Sequence, residues 1–509
     1  MEFRRAFEGA YTLHYAESKV HANFHSPFVL GGEYKNCLFI SQNGRLSGYY
    51  SACEMARLRL VSYALLMNKD YAEKLMDESR KACNGIVQIT RLIAGEDLSL
   101  LSNRELAFRL GLFRREHWLN QAYFLSSMPT CTFLLEKNLE EFISKKVKDK
   151  KKRQEYTIAL TTPAEKTALN REEEEYSELL LDMISSTNLP APMTFPKFRK
   201  YLLKDRPDTL KRIHCLLDRY QWIPTQERNP PYDTDHYLRM LYNDLKRPND
   251  ESVEESRFHK RKFRQFERNR KRVESLLRLP KRMKYLVKMV RDLAHMRMEL
   301  RLARTESDFL GGTLRGEVGK RLGINAYDVE FLTADELVDA LLHKRKICAG
   351  AIKERRGYYV WEVREGVGKI LTGKEAKAQG AEYAVNEKNA GKGRIVGLAA
   401  SPGKVRGIVR IISPLSHRQS KDCENMKKGE ILVTGQTRPH LMVAVRKALA
   451  IVTDEGGMSS HSALVSREYK IPCIVGTHNA TKMLSNGDLI EVDAYSGTVN
   501  IISKKRKAR

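Results

Sequence analysis

Cysteine is sparse and scattered. Eight occur in 509 residues, at positions 37, 53, 83, 131, 215, 348, 423 and 473, and no two form a CxxC pair. That excludes a cysteine zinc cluster and argues against a disulfide framework, so reduced thiols in a cytoplasmic protein are the expectation. No run approaches the roughly 20 apolar residues that a membrane span needs, and the mean hydropathy is −0.50. The opening MEFRRAFEGAY lacks the apolar stretch of a secretory signal. Glycine-rich phosphate loops are missing as well: the Gly-Val-Gly-Lys at 366–369 fits neither GxxxxGK[ST] nor GxGxxG. No nucleophile elbow, paired-carboxylate site or HExxH stands out. His21 and His25 of HANFH are four apart, a spacing zinc can use, but no third ligand accompanies them. They are read as surface or core histidines, and no metal is expected.

Acidic residues are the minority charge. Lys and Arg number 90 against 63 Asp and Glu, a net charge of +27. Residues 395–503 hold 13 of the basic and 9 of the acidic residues, so most of the excess lies before them. Two runs are dense: KKVKDKKKR at 145–153 and RFHKRKFRQFERNRKR at 257–272. Runs of this kind bind nucleic acid or an anionic partner, or form a solvated helix face. Phe258, Phe263 and Phe266 recur at five and three residues, which fits one buried helical stripe better than a base-stacking platform. The tail KKRKAR at 504–509 extends the basic bias.

Periodicity divides the chain. CLFISQ-NG-RLSGYY at 37–50 predicts a hairpin around Asn-Gly. Spacings of three and four over 51–143 predict helices. A basic connection follows at 144–155, and TTPA at 161–164 opens a second helical region over 156–385. Within it, 251–307 holds no glycine and a single proline, predicting one or two long helices. Residues 356–371 alternate as a second hairpin, and NEKNAGKGR at 386–394 reads as a linker. From 395 to 503 short apolar runs alternate with short helices, the pattern of a compact α/β domain. The fold class expected is a mainly α N-terminal region, 1–143 and 156–385, followed by a small α/β domain and the tail 504–509.

One stretch of that last domain carries chemistry: IVTDEGGMSSHSALVSREYKIPCIVG, 451–476. It predicts a buried strand, a turn holding Gly456 and Gly457, a helix beginning near Ser459, and a second strand before Gly476. That is a βαβ unit of a parallel sheet. His461 falls in the first helical turn behind two serines able to cap it. Amide N–H groups and the helix dipole disfavour an imidazolium there and favour an incoming phosphoryl group. On position alone, a lone histidine at a helix start is more often a cap or surface residue.

The run TDEGG-MSSH-SALVSRE-YKIPCIVG resembles the phosphohistidine signature of the phosphoenolpyruvate-utilising enzymes, the family of phosphoenolpyruvate synthase, pyruvate phosphate dikinase and rifampin phosphotransferase. ASPGKVRG at 400–407, GEILVTGQTR at 429–438 and GDLIEVDAYSGTV at 487–499 resemble flanking parts of the same domain. DVEFLTADELVDAL at 328–341 resembles a segment that precedes it. The resemblance implies a swivelling β/β/α fold that moves between distant sites, with His461 carrying the phosphoryl group. Gly456, Gly457, Ser459 and Ser460 would support that group, Thr453 and Asp454 would set the turn, and Arg438 and Arg467 would neutralise charge. Arg467 lies six residues past His461, off its helical face, so a pairing with Glu468 or a neighbouring strand competes. Ser462 stands where the family commonly has Ala. Arg297, Glu299, Arg301 and Arg304 resemble a substrate wall of rifampin-phosphotransferase-like helical domains, and are read here as a solvated face.

Enzymes of that family couple the histidine domain to an ATP-grasp domain or a pyruvate-binding barrel, and no motif for either is recognisable. The expectation is therefore a phosphoryl-carrier component of a phosphotransferase. A protein partner would supply the ATP or phosphoenolpyruvate chemistry with Mg2+, and a small molecule would be the acceptor. No cofactor is expected from a motif of this chain's own. Two other readings compete: a non-catalytic scaffold that keeps the fold, and a nucleic-acid-associated protein driven by the basic helices.

Overall fold

The structure is a computed structural model. It describes the chain apart from residues 1–2, 10, 25–33, 164, 186–192, 228–229, 247–248, 391–394, 413–421, 424, 438–440, 458–459, 478 and 505–509. At some further positions, His461 among them, it describes the backbone alone. The described residues form two units, one of residues 1–162 with 277–509 and the other of residues 163–276. The region expected over 156–385 is thus divided between them. Its second part rejoins the first 162 residues because the Lys281–Leu310 helix packs along the Lys69–Ala94 and Pro129–Lys146 helices.

Both expected hairpins form, and they form one sheet. Strands β1 (Phe3–Gly9), β2 (Cys37–Gln42), β3 (Arg45–Ser51), β4 (Tyr358–Arg364) and β5 (Val367–Thr372) run in the order β1-β3-β2-β4-β5. Each hairpin turns through two residues of positive φ, Asn43 and Gly44 in one, Glu365 and Gly366 in the other, as two-residue turns on twisted strands require. The hairpins meet with Cys37 opposite Val363 and Gln42 opposite Tyr358. One face of this sheet buries Leu38, Tyr49, Val360, Leu371 and Ala376, the last from the Gly373–Ala390 helix. That helix takes up the first five residues of the linker expected at 386–394; the rest lie outside the described residues.

The Lys281–Leu310 helix is capped by Pro280 and is largely buried from Leu286 through Leu293 to Leu302, with Lys288 exposed. The solvated face expected around Arg297 is therefore corrected. Arg297 and Arg304 are each only 8% exposed. Burial lowers Arg297 to about 10. The Arg304 guanidinium lies 4.5 Å from the Tyr15 ring and donates to Gln121 Oε1. The later turns of this helix pack among its neighbours, so the charges they carry have little solvent-facing surface to occupy.

The second unit is helical: Ala168–Ser185, Phe195–Asp205, Pro207–Tyr220, Thr234–Asp244 and Asn249–Leu276. The aromatic stripe is placed as expected where it is described. Phe263 is buried, with its ring edge-on to Phe266 at 6.0 Å. Lys262, from the middle of the basic run, is also buried and pairs with Glu173 at 2.9 Å. The side chain of Phe258 lies outside the described residues.

In the first unit, residues 395–503 build an eight-stranded sheet from β6 (Ile395–Val396), β7 (Leu398–Ser401), β8 (Lys404–Ile411), β9 (Ile431–Thr434), β10 (Ala450–Thr453), β11 (Cys473–Val475), β12 (Leu489–Asp493) and β13 (Thr498–Ser503). The order is β6-β13-β12-β8-β9-β10-β11-β7, and β8 through β11 pair in parallel. The fully buried β9 and β10 are covered on both faces: Ile431, Val433, Ala450 and Val452 enter one core, Leu432 and Ile451 the other.

Arg410 on β8 holds Glu430, just before β9, through two hydrogen bonds of 3.0 and 3.1 Å. Burial pushes the Glu430 carboxyl up, but the Arg410 bonds and the Lys427 amide outweigh it and hold the group below its ordinary 4.5. A depressed folded-state value means the stabilisation is complete above the ordinary carboxylate range and is lost as pH falls through the folded value. In acid unfolding followed by circular dichroism, Glu430→Gln is expected to remove part of the stability at neutral pH and to flatten its loss below pH about 4.5.

Candidate functional site

β10 ends at Thr453, the His461–Glu468 helix follows, and β11 lies parallel to β10 with Ile451 opposite Cys473. The predicted βαβ unit is present, with the helix opening two residues later than Ser459. Ser460 is its cap: its backbone is extended, and its hydroxyl accepts from the Ala463 amide at 3.3 Å. His461 is the first helical residue. The position of its ring, together with Ser459 and Arg438, lies outside the described residues. Removing the cap hydroxyl in Ser460→Ala is expected to cost about 1 kcal/mol, measurable as a lowered midpoint in urea unfolding.

The two glycines differ. Gly456 has φ +118°, and a Cβ there would meet Ser460 Oγ at 2.8 Å and Ser460 Cβ at 3.0 Å. The cap serine folds back on this glycine, which gives a steric reason for a glycine four residues before it. Gly457 has no such constraint; a Cβ there would lie 4.0 Å from Pro129 Cγ, at the start of the Pro129–Lys146 helix. On the far side, Gly476 at φ +69° brings its Cα within reach of Gly456 O, which a Cβ would approach to 2.9 Å.

Thr453 and Asp454 fix the turn. The Thr453 hydroxyl donates to Glu455 O at 2.7 Å, and the Thr453 carbonyl accepts from the Thr477 amide at 3.0 Å. Asp454, 7% exposed, accepts from Thr477 Oγ1 and from the Thr481 amide, each at 3.1 Å, and from Thr481 Oγ1. The carboxylate thereby ties the loop before His461 to the Ala480–Met483 helix.

Arg467 turns away from the helix start. It is 6% exposed, and its Nε donates to Ala400 O on β7 at 2.9 Å, so the neighbouring-strand pairing expected for it is present. Burial lowers it to about 10. Cys473, behind the same helix, has its thiol pushed up to about 12 by burial, which leaves it an inert thiol at neutral pH.

Ser462 was legible in the sequence only as a small substitution. It is 2% exposed, and its Oγ accepts from the Thr437 amide at 3.1 Å and bonds the Thr437 hydroxyl at 2.8 Å. It therefore anchors the residue next to Arg438 to the histidine helix. Gln154, on the Lys150–Thr161 helix, was missed: its amide donates to Ala399 O at 2.7 Å and to Ala494 O at 3.1 Å. No local pattern marks a glutamine whose partners are carbonyls hundreds of residues away.

Residues 426–497 match the family described as "PEP-utilising enzyme, mobile domain". The C-terminal domain belongs to that family. Among similar proteins, the "Uncharacterized phosphotransferase YvkC" of Bacillus subtilis is 35% identical over 182 residues, covering 35% of this chain and 21% of the relative. The "Phosphoenolpyruvate synthase" of Pyrococcus furiosus is 33% identical over 216 residues, covering 39% of this chain and 25% of the relative. The "Probable phosphoenolpyruvate synthase" of Archaeoglobus fulgidus is 44% identical over 119 residues, 23% of this chain and 15% of the relative. The matches thus span a quarter or less of these relatives' own length. The mobile domain is joined here to a helical body, and no helix among the described residues is long and apolar enough to cross a membrane.

Proposed function

We propose that His461 is a phosphoryl carrier of a phosphotransferase that takes its phosphoryl group from ATP or phosphoenolpyruvate, as Mg2+ complexes bound by a partner. The observation that carries this reading is the placement of His461 as the first residue of a capped helix after a parallel strand and a glycine turn, inside the mobile-domain match. In the first step the lone pair of one ring nitrogen attacks phosphorus. The bond from phosphorus to the donor oxygen breaks, and the leaving group departs with that electron pair. In the second step an acceptor oxygen attacks, the P–N bond breaks, and the ring regains its lone pair while the acceptor's proton passes to base.

Phosphoryl transfer depends more on positioning and charge neutralisation than on covalent help. The turn set by Thr453, Asp454 and Gly456 supplies positioning, and Ser459, Ser460, Gly457 and the amides of the first turn supply hydrogen bonds to the phosphoryl oxygens. Arg438, beside the Ser462-anchored Thr437, is the proposed charge partner; Arg467 acts on the strand behind. Movement of the domain between donor and acceptor requires Gln154 to release Ala399 and Ala494. The test is to incubate the pure protein, with and without cell extract, with Mg2+ and either donor, and to read intact mass. An acid-labile phosphoryl adduct is expected, and one seen only with extract identifies donor chemistry on a partner. No adduct under any of these conditions contradicts the reading.

A further inference from the structure

Away from the histidine helix, three helices of the first unit bring metal-ligating groups together in their common core. They are Leu13–Phe24, Asn103–Ser126 and Lys281–Leu310, contributing His14, His117 and Asp308. One potential ligand atom from each lies within 4.8 Å of the other two. His14 is 4% exposed and His117 is fully buried, with ring centres 5.1 Å apart. The Asp308 side chain keeps 41% exposure, so the cluster opens to solvent on one side.

The surrounding hydrogen bonds fix which nitrogen of His117 carries its proton. Thr90 Oγ1 donates to Ile86 O at 2.7 Å. Ser307 must then donate its own proton to Thr90 Oγ1, 2.6 Å away. Ser307 Oγ is left to accept, and His117 Nε2–H at 2.9 Å is the donor. The lone pair of His117 is therefore on Nδ1, which faces Asp308 Oδ1 at 3.6 Å. His117 Nδ1 and Asp308 Oδ1 face each other across that gap. His14 Nε2 has no hydrogen-bond partner among the described residues. Burial, with nearby arginines adding to it, lowers both imidazoles well below their ordinary value, and burial raises the Asp308 carboxyl.

We propose that His14 Nε2, His117 Nδ1 and the Asp308 carboxylate bind a divalent transition-metal ion of the zinc, iron(II), manganese or cobalt class. Two imidazoles and one carboxylate are a donor set for those ions rather than for calcium or magnesium. Tetrahedral bonds of 2.0–2.2 Å place ligand atoms about 3.4 Å apart, so the three groups need to close by about an ångström. The exposed side of Asp308 leaves room for water or a ligand at the remaining positions. One outer contact of the kind that orients metal-bound histidines is present, Ser307 on His117 at 2.9 Å; Glu17 Oε2 lies 3.9 Å from His14 Nδ1. Arg114, which can only donate, donates to His14 Nδ1, so without metal the His14 ring proton sits on Nε2. Binding metal at Nε2 moves that proton to Nδ1, where the ring's contact passes from Arg114 to Glu17 Oε2, 3.9 Å away, while Arg114 keeps its own 2.9 Å pairing with that carboxylate. Two of the nearby arginines have carboxylates of their own, Arg114 with Glu17 at 2.9 Å and Arg315 with Glu330 at 3.2 Å, while Arg304 lies 3.8 Å from the ligand Asp308 itself.

The experiment uses the full chain, stripped by chelator and titrated with Co2+ and Zn2+, reading bound metal by mass spectrometry and the Co2+ visible spectrum. One equivalent is expected, with cobalt bands that disappear in both His117→Ala and Asp308→Asn and persist in His461→Ala. The metal is also expected to raise the melting temperature of the unsubstituted chain. Less than one equivalent at micromolar metal overturns the proposal without any variant, and so does binding that survives both substitutions. Failure here leaves the phosphoryl-carrier reading untouched, because none of these readouts involves a phosphoryl donor.

Discussion

His461→Ala is expected to abolish the acid-labile phosphoryl adduct completely, under every donor condition that labels the unsubstituted chain. Transfer requires a nucleophilic lone pair at the head of the helix, and alanine supplies none. The His461–Glu468 helix should survive, because its cap is Ser460 rather than the histidine, and alanine is the best helix former. Circular dichroism and urea unfolding of the variant should therefore match the parent to within about 0.5 kcal/mol. Ser460→Ala should still label, since it weakens the cap without removing the nucleophile. Labelling that survived in His461→Ala would move the carrier to another residue.

Gly456→Ala is expected to destabilise the domain by about 3 kcal/mol, whereas its neighbour Gly457→Ala should change stability by no more than about 0.5 kcal/mol. At φ +118° an L-residue is strained whatever surrounds it, and the new Cβ would also press on Ser460 Oγ at 2.8 Å. Relief would have to move the cap and with it the first turn of the helix, so labelling at His461 should fall along with stability. Position 457 has neither problem, its nearest contact being Pro129 Cγ at 4.0 Å. Urea unfolding of both variants beside the parent separates a steric requirement from the mere presence of two glycines. Equal losses at the two positions would contradict the geometry described for the turn.

What was legible in the sequence follows the range of the forces involved. The β10–helix–β11 unit, both hairpins and the break at Pro280 are local. Alternation, an Asn-Gly turn, a serine cap and a proline each act within a few residues, and each left a pattern to read. The pairing of Cys37–Gln42 with Tyr358–Arg364 is not local. Nothing in either hairpin names its partner, because register across more than 300 residues is decided by which apolar faces the packed helices leave available. The same reason hid the environment of Arg297 and Arg304. A charge-dense stretch ordinarily marks a solvated face, but the later turns of the helix that carries them pack among its neighbours.

The site divides in the same way. Gly456, Ser460 and His461 were read from spacing and from the family resemblance. Arg467 already looked doubtful as a phosphoryl contact because six residues is the wrong interval for its helical face, and its Nε bonds Ala400 O on β7. Ser462 and Gln154 act on Thr437, Ala399 and Ala494, partners that only the folded chain brings near. His14 and His117 were equally invisible as a pair: about a hundred residues separate them, and the metal-like spacing that did stand out, His21 with His25, was a different one. His21 stacks on Trp118 at 3.8 Å, and His25 lies outside the described residues.

The most direct measurement is to locate the phosphoryl group. The chain labelled with phosphoenolpyruvate or ATP is digested at alkaline pH, where phosphohistidine survives, and the peptides are sequenced by tandem mass spectrometry. One phosphoryl mass on the imidazole of residue 461, lost on brief acid treatment, is the predicted result. A phosphoryl group found on Ser459, Ser460 or any residue outside the helix start, stable to acid, would contradict the account.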